Sequence, residues 1–94
     1  MNDTFEQDVH AVFLELEALL LSKHSDYGSK NISGAPGGAH NGLRVRLYDK
    51  LARISNLLFG KADTVKHESV EDSYKDIANY GVIGLLVERG LWPE

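Results

Sequence analysis

The chain has no cysteine among its 94 residues, which excludes a disulfide framework, thiolate metal ligands and a cysteine nucleophile. Zinc is therefore not expected, and an intracellular setting is the simplest reading. Positive charge is also short: ten Lys and Arg stand against fourteen Asp and Glu, giving a formal net charge of −4. That balance argues against broad nucleic-acid binding, which needs a basic footprint, and leaves room only for a local patch that binds a small anion. The apolar run Ala18-Leu19-Leu20-Leu21 is too short to span a bilayer, and the opening MNDTFEQDVH is acidic. Neither a membrane helix nor a signal peptide is expected, and the cytoplasm, or a host cytoplasm for a viral chain, is the expected location.

What remains is helical patterning. Val9, Val12, Phe13, Leu16, Leu19 and Leu20 recur at three- and four-residue steps, which predicts a first helix over about residues 4–23, capped by Asp3 or Thr4. Leu43, Leu47, Leu51, Ile54 and Leu58 form one stripe of a second helix over about 42–59, stopped by Gly60. After a short polar link, Val70, Tyr74, Ile77, Gly81 and Leu85 mark a third over about 69–89, ended by Gly90 and Pro93. From Ile77 to Val87 this helix is apolar nearly all round, so it belongs at the centre of the fold or against another subunit. Ala78, Gly81 and Gly84 would let a neighbouring backbone come close. The expectation is an all-α, three-helix single domain over 1–94. So short a chain buries only roughly 60–65% of its unfolded surface, which favours a homo-oligomer.

Between the first two helices, residues 24–41 read HSDYGSKNISGAPGGAHN, with four glycines and no apolar period. This predicts a long glycine-rich loop, and loops of more than about 12–15 residues are uncommon unless functional or disordered. Within it, Tyr27 offers a ring for stacking, Gly28 lets backbone N–H groups approach an anion, and Asp26, Lys30 and Asn31 stand beside them. Gly28-Ser29-Lys30 is not a P-loop, because the earlier glycine and the preceding strand are missing. His10, His24, His40 and His67 have no metal-binding spacing and are expected to be surface polar.

Two charged stripes carry the remaining chemistry. On the second helix Arg46, Lys50 and Arg53 fall at i, i+4 and i+7, near Arg44, a row suited to phosphate oxygens. On the third, Glu68, Asp72, Asp76 and Asn79 share a face, with Glu71 one step around. With Asp49 reaching across, Asp72 and Asp76 form a candidate magnesium site. The competing reading pairs the acids with the cations in an inter-helix salt-bridge network, and Asp76, beside the apolar half of its helix, needs a partner in either case.

Three ordered blocks carry a resemblance: Lys23-His24-Ser25-Asp26-Tyr27-Gly28, then Arg46-Leu47-Tyr48-Asp49-Lys50-Leu51-Ala52-Arg53-Ile54, then Glu71-Asp72-Ser73-Tyr74-Lys75-Asp76-Ile77-Ala78-Asn79-Tyr80-Gly81. Together they resemble the nucleotide modification associated domain 1 family, small helical proteins frequent in bacteriophages, over about residues 23–86. The resemblance implies a phage protein that handles nucleotides or their derivatives. A more distant similarity is to the MazG-like nucleotide pyrophosphohydrolases, which hold magnesium with ExxE on one helix and ExxD on the next. Here Asp72 and Asp76 are spaced one residue wider, and Asp49 lies in a basic stripe where ExxE would stand.

Three functions follow. The first is capture of a nucleotide or cyclic-nucleotide-like signal between the second and third helices, for instance to sequester a host defence signal. Its ligands would be Asp26, Tyr27, Gly28, Lys30, Asn31, Arg46, Lys50, Arg53 and Asn79. The second is magnesium-dependent hydrolysis with Asp49, Asp72 and Asp76 on the metal and Glu71 as base. The third is a structural or protein-interaction module in which both stripes are scaffold. The incomplete metal pattern favours the first.

Overall fold

The computed structural model describes residues 3–60 and 66–93, with backbone alone at residue 3 and at 66–69. All regular structure in these residues is helical: α1 Asp3–Tyr27, α2 Lys30–Ser33, α3 Ala39–Phe59 and α4 Lys66–Glu88. The fold is all-α, as the periodicity predicts. The polar link expected after Gly60 and the side chains of His67, Glu68 and Ser69 lie outside the described residues.

The expected long loop is mostly helix. α1 continues one turn past Lys23, because Lys23, His24 and Tyr27 extend the stripe of Leu16 and Leu20 while Ser25 and Asp26 occupy the outer side. Asp3 is already helical. Gly28 then adopts φ +72° and its N–H donates to the His24 carbonyl at 2.8 Å, a left-handed stop that an L side chain would strain. α2 follows at once, closed by the Gly34 N–H on the Lys30 carbonyl at 2.8 Å. Its one apolar residue, Ile32, is only 2% exposed and is the most deeply buried hydrophobic side chain among the described residues.

α3 and α4 are the main packed pair. They run antiparallel: His40 meets Glu88 at 3.2 Å near one end, and Lys50 meets Asp76 at 2.9 Å further along. Leu43 lies over Gly84, within 3.9 Å of where a side chain there would begin, so this glycine does admit a close neighbour. The predicted α3 stripe is only partly covered. Leu43 and Ile54 are buried and Leu47 half-buried, but Leu51 and Leu58 remain exposed.

α1 crosses α4 instead of lying along it. Glu15, Leu16 and Lys23 of α1 reach Lys75, Asn79 and Asp76 of α4 respectively. After α4 the chain turns back at Gly90, φ +68°, with Leu91 N–H donating to Leu86 and Gly90 N–H to Val87. That turn brings the Trp92 indole N–H to the Ser29 carbonyl at 3.1 Å, tying the segment after α4 to the α1–α2 junction. No helix among the described residues is long and apolar enough to cross a membrane.

Candidate ligand-binding cavity

The crossing of α1 over α4, with α2 and α3 behind it and Trp92 at its side, frames a half-open cavity of about 400 Å3. Leu20, Ile32 and Ile83 supply apolar wall, and Tyr27, Tyr80 and Trp92 supply rings. The charged lining is Lys23, Arg46, Lys50 and Asp76. Three cations against one carboxylate leave the site positive within a chain of net negative charge.

Asp76 organises this charge. Its two oxygens are shared between ammonium groups from different helices, Oδ1 with Lys23 Nζ at 2.8 Å and Oδ2 with Lys50 Nζ at 2.9 Å. Burial pushes the Asp76 carboxyl upward, but hydrogen bonds from Lys23 and Lys50, helped by their charges, outweigh it and hold the group below the ordinary value of 3.8. In return, the hydrogen bond and charge of Asp76 raise Lys23 above 10.5 against a smaller opposing effect of burial. Each ammonium has three protons and gives one to Asp76, so each keeps donors for a further acceptor. Arg46 is fixed as well, donating through Nη2 to the Asn31 carbonyl at 3.1 Å.

Two residues of the lining also carry buried polar atoms without a partner, His24 Nδ1 and Asn31 Oδ1. Such atoms carry a desolvation cost. His24 sits edge-on to Trp92 with ring centroids 5.2 Å apart at 74°. Beyond the cavity, Arg46, Lys50 and Tyr80 also line a shallow recess with Asp49 and Arg53, so the basic stripe runs from the interior to the surface.

Of the predicted ligand-binding residues, Tyr27, Gly28, Asn31, Arg46, Lys50 and Asn79 meet at the cavity, and Arg53 stands at its outer extension. Asn79 is largely committed to structure, its Nδ2 donating to the Leu16 carbonyl at 3.1 Å. Asp26 is exposed and lines none of these spaces, and Lys30 borders a separate recess beyond Trp92. His24, expected at the surface, is a half-buried part of the lining.

The expected metal ligands do not converge. Among the described residues no group of three acidic or histidine side chains is placed to hold a metal ion. Asp76 is occupied by two lysines, Asp72 is exposed away from the cavity, and Asp49 lies in the outer recess. Glu71, the expected base, is exposed and pairs with Lys75 at 3.5 Å, which also meets Glu15. Among the described residues the two stripes meet in the ion pair of Lys50 with Asp76, and the second cation on Asp76 comes from α1.

Lys23, Tyr80 and Trp92 join the site without having been expected there. Lys23 was recoverable from the α1 stripe, one turn beyond Leu20; for Trp92 no spacing gives a signal. No curated protein and no solved structure matches the chain. The family model that does match, nucleotide modification associated domain 1, spans residues 23–87, which takes in every charged residue of the cavity lining and leaves out Trp92. On that match, over more than half of its length, the chain belongs to the nucleotide modification associated domain 1 family.

Proposed function

We propose that the cavity captures a phosphorylated, ring-bearing small molecule of the nucleotide class and does not turn it over. The observation that carries this reading is the clustering of Lys23, Arg46 and Lys50 around a single carboxylate in one half-open cavity. The cations favour phosphate oxygens, and two of them are held in place by Asp76 before a ligand arrives. Tyr27, Tyr80 and Trp92 offer faces or edges to a flat base. Arg53 in the outer recess gives a second phosphate somewhere to go, which suits a diphosphate or a cyclic dinucleotide.

Capture is favoured over hydrolysis by the donor set. The carboxylate of the cavity lining is consumed by lysines, and among the described residues no other carboxylate lines the space. A protein that binds such a ligand without consuming it acts as a sink for it, in the cytoplasm where nucleotides are made. Sequestering a host defence signal is one use a bacteriophage has for a sink.

Isothermal titration calorimetry in EDTA, across nucleoside mono- and diphosphates and cyclic dinucleotides, tests the proposal. Saturable heat with at least one of them, and recovery of that ligand unchanged, is expected. Silence across the whole panel would refute it.

A further inference from the structure

Two faces of α4 are packed by the described residues. Gly84 lies towards α3, on the same side of the helix as the buried Ser73, and Asp76 and Asn79 lie towards α1 and the cavity. The third, Tyr74, Ala78, Gly81, Val82 and Leu85, follows i, i+4, i+7, i+8 and i+11 along one side. Val82 is 41% and Leu85 55% exposed, and a side chain at Gly81 would meet nothing within 4 Å. A helix apolar all round is a buried helix, yet within one chain this one is not.

The chain also carries an uncovered stripe of opposite shape. On α1, Leu16, Leu19 and Leu20 are half-buried where the helix crosses α4. The same stripe continues bare towards the N-terminus through Phe5, Val9, Val12 and Phe13, with the two rings 58% and 65% exposed. Residues 3–14 thus form an arm about 18 Å long with a bulky apolar edge. Ala78, half-buried, and Gly81 make the α4 face a trough, and Phe5, Val9, Val12 and Phe13 make an exposed ridge of matching shape on the same molecule.

We infer that two copies of the chain exchange arms, the α1 arm of each lying in the Ala78/Gly81 trough on α4 of the other around a two-fold axis. The area suffices. A buried aromatic ring removes roughly 150–250 Å2 from water, so these seven large side chains offer on the order of 500 Å2 of apolar surface per copy. A standard interface takes about 800 Å2 per partner, a little over half of it apolar. The exchange encloses α4 on its third side, which accounts for a composition that the single chain leaves unexplained.

Sedimentation equilibrium of the wild-type chain beside Gly81→Gln is the first test. The substitution has open space in the single chain and gains about 1 kcal/mol of helix propensity, so it leaves a folded protein, as circular dichroism will confirm. The wild type is expected at twice the chain mass, with dimerisation weakened about tenfold or more by Gly81→Gln, or roughly 1.4 kcal/mol. A monomeric wild type, or a dimer indifferent to Gly81→Gln, overturns the inference. Because the chain lacks cysteine, pairing is also read directly by mixing Phe13→Cys with Val82→Cys under oxidation. A mixed disulfide dimer is expected; Phe13→Cys cross-linking only to itself would mean that arms pair with arms, and the exchange would be wrong.

Discussion

Asp76 shows how much of the site one residue decides. The sequence places it where a carboxylate needs a partner, and that need is met, although by two ammonium groups in place of a metal ion. Lys50 as one partner follows from the facing stripes; Lys23 does not, because its helix was expected to end there and no local pattern encodes a crossing angle. Asp76→Asn is expected to cost about 1–2 kcal/mol at neutral pH, discounted because Lys23 is about half exposed. The Asp76 value is lowered on folding, so its contribution is fully present above 3.8 and is lost as pH falls through the lowered value. Urea titrations at pH 7 and pH 3 should therefore show a smaller acid loss in Asp76→Asn than in the wild type; equal losses would count against the clamp. Ser73 makes the opposite case: it is 1% exposed and its Oγ has no partner. Ser73→Ala is expected to be neutral or to stabilise by up to about 1 kcal/mol, measured by the same titration.

At the level of elements, long periodic helices were legible and the short one was not. α3 and most of α1 announce themselves through five or six apolar residues in register, whereas α2 has four residues and one apolar side chain, too few to make a period. Gly28, which reads as loop composition, instead ends α1, while Gly90 ends α4 as its position predicts. Ile32 separates the two descriptions. In a solvated loop Ile32→Ala would change stability by a few tenths of a kcal/mol, but a side chain 2% exposed should lose about 2–4 kcal/mol. Thermal denaturation of that one variant decides between them. The tie from Trp92 to Ser29 was illegible for a related reason, since it joins parts 63 residues apart through a single donor.

For the whole molecule, the balance of charge and of apolar surface both point outward. A chain of net charge −4 gathers three cations at one cavity, a focusing that would favour an anionic ligand and that weakens with added salt. Its buried apolar side chains among the described residues are Ile32, Leu43 and Ile54, a small core that leaves much of the α1 arm and the α4 trough exposed. The basic stripe and the apolar periods were visible in the sequence. Their meeting point was not, because it depends on α1 crossing α4 and on the return of the segment after Gly90.

Trp92 is the only tryptophan in the chain and borders the cavity, so its fluorescence reports occupancy without a label. Titration in EDTA with a phosphorylated ligand that gives heat, beside its dephosphorylated counterpart, measures what the cations contribute. A saturable change for the phosphorylated form, at least about tenfold weaker for the nucleoside and for Arg46→Ala, is the predicted result. Equal response to both forms, or binding untouched by Arg46→Ala, would show that Lys23, Arg46 and Lys50 serve the scaffold and hold no phosphate.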